Sequence, residues 1–391
     1  MKTMSSYEVQ FFWNKSLLRP FLHRERDVYA LPVMQGFVGQ RDFTLSKCSD
    51  DIKSVAQTTA DSVDSNRKDQ SDPACPQDQF LLTLVSRRSV ERPGLRYLRR
   101  GIDEDGNTAN FVETEQLLSS KDWSPARNIY SFLQIRGSIP LFFSQSPYSF
   151  KPVPVLQHSQ ATNLSAFRNH FEKLVDRYGD VQIVLLTDKG GPEGAIGQKY
   201  EDLTQLVNSA GGVNQHQIGF EWFDFHRKCS GMRFDNVQLL VDNMRNVMAN
   251  LGQSVDKNGL VQCRQTGLIR TNCMDCLDRT NVVQSGLAQR ALEEGLQMEG
   301  SEFIIGNDTA TQSFNSLWAD NGDAISKQYS STAALKSDYT RTRKRTYRGA
   351  VNDLSLTMSR YFNNIGQYKQ TSKATLIYWW PRKFWYIAPR Y

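Results

Sequence analysis

Cys273 and Arg279 stand either side of five residues, and Thr280 follows directly. No other spacing in the chain suggests chemistry so strongly. Residues 267–271 (GLIRT) precede them and read as a strand. From Thr280 onward the pattern turns helical, with Val283, Leu287 and Leu292 on one face. A short loop closing on a helix N-terminus points several backbone N–H groups at one place and makes an anion cradle. A cysteine there ionises readily, because the helix dipole, the loop amides and the Arg279 charge all favour thiolate. An arginine fork holds two phosphate oxygens at once and follows them into a trigonal-bipyramidal transition state. These parts describe a phosphatase working through a phosphocysteine, with no metal. Spacing alone leaves another reading open, in which Cys273 is a buried structural thiol and Arg279 a surface helix residue.

Cys273 and Cys276 also form a C-x-x-C. A redox pair sits at a helix start too, but has no use for Arg279. A zinc site needs further ligands; Cys263 is available, but there is no second C-x-x-C or histidine pair. Asp275 and Asp278 lie within the loop, and either can protonate a leaving oxygen. A nearby bound dianion raises a carboxyl's pKa and keeps it protonated. Asp275 is the first expectation. Asp278 is the second, with orienting Arg279 or capping the helix as its other roles, and Asp224, outside the loop, is the third. Thr280 suits either a hydrogen bond to the thiolate or hydrolytic water, or the helix N-cap.

Elements that can position this loop are legible around it. Residues 181–187 (VQIVLLT) form a continuous apolar run typical of a fully buried strand. A helix precedes it over 166–178, where Phe167, Phe171, Leu174 and Val175 repeat at helical spacing. Residues 188–194 carry three glycines and a proline and form a loop. A second buried strand is expected at 219–225 and an amphipathic helix at 237–251. Upstream, 80–85 reads as a buried strand, 96–100 as the start of a basic, aromatic one, 102–107 as a turn and 109–114 as extended. Buried strands alternating with helices argue for an α/β fold with a largely parallel central sheet, the loop at the carboxyl end of a strand.

With 391 residues the chain has room for two or three domains at roughly 100–200 residues each, and for a large core. A hydrophobic fraction of 39% argues against disorder throughout. No uninterrupted apolar run reaches the about 18 residues of a membrane span, and no secretory signal is expected at the N-terminus. Six scattered cysteines suit a reducing, cytosolic compartment rather than a disulfide framework. Residues 46–79 shift to Ser, Asp, Gln and Lys and read as a flexible polar insert. The net charge of +6 suits an anionic partner. Part of it lies in 336–348, where Lys336, Arg341, Arg343, Lys344, Arg345 and Arg348 accompany a single acid, Asp338. Such a run is either a solvated face or a surface for anionic lipid, each cation contributing about 1 kcal/mol at a charged membrane.

The run RTNCMDCLDRTNVVQ from Arg270 resembles the signature of the Sac phosphoinositide phosphatases. Similar motifs follow the same order along the chain: RYLRRGIDEDGNTANFVETEQ from Arg96, RGSIPLFFSQ from Arg136, FDFHRKC from Phe223, WADNGDAISKQY from Trp318 and ALKSDYTRTRKRT from Ala334. The last looks most like the membrane-anchored branch that prefers phosphatidylinositol 4-phosphate. The resemblance implies a Sac-type catalytic domain over 1–365, with 1–42 the remnant of an N-terminal lobe and 366–391 an aromatic, basic tail that suits a membrane interface.

It further implies Cys273 as nucleophile, Arg279 as phosphate ligand, Asp275 or Asp278 as acid, and Met274, Cys276, Leu277 and Thr280 as the rest of the phosphate loop. Lys336, Arg341, Arg343, Lys344 and Arg345 are implied to face the lipid or the membrane. The expected reaction is release of an inositol-ring monophosphate, the 4-phosphate first, without cofactor or metal. Expected partners are a phosphoinositide lipid and an anionic membrane surface, with no nucleic acid, at the cytosolic face of endoplasmic reticulum or Golgi membranes. The chain is expected to act as a monomer. A weakly catalytic phosphoinositide-binding module and a cysteine-dependent protein phosphatase are the other readings. Protein tyrosine phosphatases usually carry histidine where Asn272 stands, so Asn272 is expected to fix the loop by hydrogen bonds. His226 is expected to be a structural hydrogen-bonding residue. Ser331 and Ala333 occupy positions where the family usually has glycines, which puts full activity in question if those glycines supply positive φ angles.

Overall fold

The computed structural model describes residues 9–22, 31–46, 77–94, 99–121, 127–146, 148, 152–274, 277–301, 309–344 and 346–378. Four long strands, β1 (Gly36–Ser46), β2 (Gln77–Arg88), β3 (Val112–Ser120) and β4 (Ile129–Arg136), form an antiparallel meander. A small separate hairpin, β5 (Phe143–Ser144) with β6 (Val155–Leu156), follows. Next come β7 (Asp180–Leu185), β8 (Gly219–Trp222), β9 (Ser254–Lys257), β10 (Leu260–Cys263) and β11 (Gly267–Asn272). The main sheet runs β1-β2-β3-β4-β11-β7-β8, with β9 pairing β4 and β10 pairing β9. Parallel pairing joins β4, β11, β7 and β8, the half that carries the signature loop. The last strand in sequence is thus inserted between two earlier ones, with Thr271 opposite Arg136 on one side and Asn272 opposite Leu185 on the other.

Helices cover both faces. They are α1 (Lys15–Leu22), α2 (Gln160–Tyr178), α3 (Gly194–Ser209), α4 (Phe225–Lys228), α5 (Val237–Leu251), α6 (Asp278–Met298), α7 (Thr309–Ser330), α8 (Ser337–Thr342) and α9 (Tyr347–Tyr378). On one face Phe167, Phe171 and Leu174 of α2 and Tyr200 of α3 pack on Ile183, Leu185 and Leu268. On the other, Leu240 of α5, Val283 and Leu287 of α6 and Phe314 of α7 pack on Leu82, Leu84 and Ile269. Leu268 and Ile269 lie in different cores because successive strand residues point to opposite faces. Burying each such side chain contributes about 1.5–3 kcal/mol.

The helix into the parallel half starts and stops on local chemistry. Ser159 caps α2, accepting from Thr162 N at 3.2 Å. Gly179 ends it at φ +82°, where a Cβ would lie 2.1 Å from the Thr266 carbonyl, so the chain turns at once into β7. The helix expected over 237–251 has those bounds.

Other expectations shift. The strand anticipated over 219–225 ends at Trp222, because Asp224 caps the short α4. Arg99 and Arg100 lie outside any strand, while 95–98 fall outside the described residues. β1 and α9 run through the anticipated boundaries at 42 and 365. Of the polar insert, residues 47–76 lie outside the described residues. Among the described residues, no helix is long and apolar enough to cross a membrane.

Candidate active site

All six residues of β11 are buried, including the polar Arg270, Thr271 and Asn272. Each must therefore find partners. Arg270 donates from Nε to His170 Nε2 at 3.0 Å and from Nη2 to the Ser138 carbonyl at 3.0 Å. An arginine only donates, so the imidazole proton is on Nδ1, which faces the Gly106 carbonyl at 2.7 Å. Burial, then the Arg270 charge, hold the His170 pKa well below its ordinary value, so this histidine stays neutral. Asn272 donates from Nδ2 to the Gly137 carbonyl at 2.6 Å, and its Oδ1 accepts from Tyr200 at 3.2 Å. The expected hydrogen-bonding role of Asn272 matches this geometry.

Beyond Asn272 the chain leaves the sheet and reaches α6 within five residues, 273–277. Cys273 is buried, and Thr280 Oγ1 donates to its Sγ at 3.6 Å. Helix α6 begins at Asp278, with Leu277 at its cap, so Thr280 is already in the first turn. Of the two roles open to Thr280, the contact with sulfur is realised and the N-cap is not. Met274 and Leu277 are buried, and the Met274 carbonyl accepts from Arg100 Nη1 at 2.6 Å. Asp275 and Cys276 lie outside the described residues.

Arg279 is held by a loop that sequence reading left without a role. Its Nη1 and Nη2 donate to Glu193 at 2.9 and 2.8 Å, Nη1 also donates to the Leu186 carbonyl at 3.1 Å, and Asp188 lies 3.7 Å away. Burial works to lower the Arg279 pKa. Glu193, the Cys273 sulfur and Asp188 outweigh it and leave the value raised, so the guanidinium is permanently charged. Burial, joined by Glu193, raises the Asp188 carboxyl above its ordinary range despite Arg279 and His226.

Asp278 has a different partner from either expected role. It accepts from Arg360 of α9 at 2.8 and 3.0 Å and from the Leu335 amide at 2.6 Å. Burial opposes ionisation, but Arg360, Lys336 and the Leu335 amide together hold the Asp278 pKa below its ordinary value. It neither orients Arg279 nor caps the helix. Its carboxylate is committed to anchoring α9. Asp224 is committed too, accepting from Arg227 N at 3.0 Å and Lys189 N at 3.1 Å.

These residues surround a cavity of about 580 Å³ lined by Cys273, Arg279, Glu193, His226, Lys336 and Arg360 among others. It opens at the carboxyl ends of the parallel strands, where ligands of open α/β sheets bind. A larger cavity of about 710 Å³ lies at the amino ends of β4 and β11, beside Ile129 and Gly267, away from the signature loop. His226, expected to be a structural hydrogen-bonding residue, is exposed and lines the cavity. Cys229 is a buried wall thiol whose pKa is pushed up to about 11 by burial and by Asp235.

The basic run does not present one cationic face. Arg341 pairs with Asp320 at 2.7 Å and Asp323 at 3.2 Å, and those acids outweigh burial to raise its pKa. Arg343 donates to Asn315 at 2.9 Å and lies over the Tyr339 ring at 6.0 Å, where burial lowers its pKa. Both turn inward because α7 supplies their partners. Lys336 lines the cavity, Lys344 and Arg348 are exposed, and Arg345 lies outside the described residues. Ser331 has φ +61°, in the left-handed region that favours glycine, whereas Ala333 has no positive φ.

Reasoning from spacing missed Glu193 and Arg360. A signal existed for Glu193, since its glycine-rich turn directly follows a buried strand, where α/β sites gather. For Arg360 there was none.

The SacI homology domain family model matches residues 1–230 of the chain. Among curated proteins, the phosphatidylinositide phosphatase SAC2 of Homo sapiens is 38% identical over 366 residues, 91% of this chain and 30% of that protein. SAC2 of Danio rerio is 36% identical over 369 residues, 91% of this chain and 31% of that protein. The phosphatidylinositol-3-phosphatase SAC1 of Saccharomyces cerevisiae is 36% identical over 375 residues, 91% of this chain and 54% of that protein. The chain therefore spans from under a third to about half of these relatives' length. Among solved structures, a Legionella phosphoinositide phosphatase aligns at TM-score 0.38 and 10% identity, over 66% of this chain and 38% of that one.

Proposed function

The chain belongs to the Sac-domain phosphoinositide phosphatase family, and from that premise we propose that it removes a monophosphate from the inositol ring of a phosphoinositide lipid. One observation carries the reading: Cys273, contacted by Thr280 Oγ1 at 3.6 Å and close to the Arg279 charge, lines a cavity at the carboxyl end of β11. In the proposed reaction the Cys273 thiolate attacks phosphorus and the bond to the inositol oxygen breaks. Asp275 gives that oxygen its proton. Water then attacks the phosphocysteine, the P–S bond breaks, thiolate returns and Asp275 takes the water's proton. Arg279 and the loop amides hold the equatorial oxygens in both steps, so the chemistry calls on no metal. Thr280 donates to the sulfur and favours its departure as thiolate.

The proposed substrate is phosphatidylinositol 4-phosphate, from the motif at 334–346; the yeast relative is named for the 3-phosphate, so both lipids belong in the assay. The proposed setting is the cytosolic face of endoplasmic reticulum or Golgi membranes. There the exposed Lys344 and Arg348, with the apolar side of α9, meet an anionic bilayer.

The test is phosphate release from vesicles carrying either monophosphate, in EDTA, by wild type and by Cys273→Ser. Release by wild type alone is expected. Retained activity in the variant would remove Cys273 as nucleophile, and lipid binding without release by wild type would leave only a binding module.

A further inference from the structure

Resting on that phosphatase reading, we propose that Glu193 is a positioning residue: it holds Arg279 end-on so that the opposite edge of the guanidinium receives the transferring phosphoryl group. A guanidinium carries five N–H donors on two bidentate edges. Here Nη1 gives one proton to the Leu186 carbonyl at 3.1 Å and one to Glu193 at 2.9 Å, while Nη2 gives one to Glu193 at 2.8 Å. Among the described residues this leaves Nε–H and the second Nη2 proton, which form the side-on edge that matches two phosphate oxygens. Both partners are mostly shielded, their side chains 22% and 21% exposed, so the pair is screened little by solvent.

Glu193 is itself braced. It ends the short turn Gly191–Glu193 at the mouth of β7, and its Oε2 accepts from Asp188 N at 3.3 Å. Gly191 takes φ +72°, and a Cβ on Gly194 would meet the Lys189 carbonyl at 2.5 Å, so the turn is tightly constrained where it passes into α3. A carboxylate fixed this way removes rotamer freedom from Arg279 before substrate arrives. Such preorganisation is realised in the transition state rather than in ground-state binding. The same contact read as a latch would compete with phosphate for the fork, and the two readings predict opposite signs.

The experiment compares wild type, Glu193→Gln and Glu193→Asp on phosphoinositide vesicles. Direct binding of orthovanadate, a trigonal-bipyramidal mimic, is measured by calorimetry on the same proteins. Positioning predicts that kcat falls about tenfold or more in Glu193→Gln with KM within about threefold, and that vanadate affinity falls in step. Glu193→Asp, one methylene short, falls similarly, and thermal melting confirms the fold of each variant. Unchanged or increased turnover in a folded variant would overturn the proposal, an increase identifying a latch. Should wild type release no phosphate, the phosphatase reading fails separately and the vanadate arm still decides: equal affinity in wild type and Glu193→Gln, or none in either, overturns positioning.

Discussion

The two aspartates of the signature, Asp275 and Asp278, are the first two candidates for the general acid. Asp278 is spoken for: the Arg360 guanidinium and the Leu335 amide hold its carboxylate and keep its pKa below the ordinary value, so near neutral pH it has no proton to donate. The acid's part therefore goes, as a proposal, to Asp275. A general acid accelerates loss of a poor leaving group by about a hundredfold or more. Asp275→Asn is expected to lower turnover about a hundredfold on lipid and far less on an activated aryl phosphate, whose leaving group needs no proton. Equal losses on both substrates would remove Asp275 from that role. Buried Arg270 and Asn272, just upstream in the signature, serve the loop differently: with His170 of α2 and Tyr200 of α3 they complete one another's hydrogen bonds and hold the strand end in place.

At the scale of elements, α9 is fastened to the first turn of α6 through one arginine. Arg360, 2% exposed on its side chain, donates to Asp278, to Thr332 Oγ1 at 2.8 Å, to Ser326 Oγ at 3.0 Å and to the Ala333 carbonyl at 2.9 Å. Removing one partner of such a buried pair leaves the other charge unpaired. Arg360→Met is therefore expected to cost about 3–5 kcal/mol, read from chemical denaturation. Its pH dependence has a definite sign. The folded Asp278 pKa lies below the unfolded one, so the pair's stabilisation is complete above about pH 4 and is lost as pH falls through the folded value. The variant should lose this acid-side slope. A variant as stable as wild type, or with the same slope, would mean the network is not what anchors α9.

Seen whole, the molecule presents an apolar stripe on the outer side of α9: Tyr347, Val351, Leu354, Met358 and Phe362 recur at helical spacing and are all exposed. Thr357 and Arg360 of the same helix line the cavity beside Cys273, and Lys344 and Arg348 flank its start. An amphipathic helix bordered by cations suits the proposed bilayer partner. Leu354→Glu with Phe362→Glu should weaken binding to anionic vesicles about tenfold or more at unchanged melting temperature, and wild-type binding should fall as salt rises. Vesicle binding unaffected by both changes would place the membrane contact elsewhere.

Short-range pattern made part of this protein legible without a structure. The strand before Cys273, the helix that carries Arg279 and Thr280 and the helix at 237–251 all follow from residue spacing within a few turns, because local periodicity reports which face is buried. Such spacing carries no information about partners brought together by topology. The insertion of β11 between β4 and β7, the hold of Glu193 on Arg279 across 86 residues, and the hold of Arg360 on Asp278 across 82 arise only when the sheet order is set. Arg341 and Arg343 show the same division. In sequence they belong to a cationic run, and in the fold α7 offers them Asp320, Asp323 and Asn315, so they turn inward because a paired or packed guanidinium is favoured over a row of like charges.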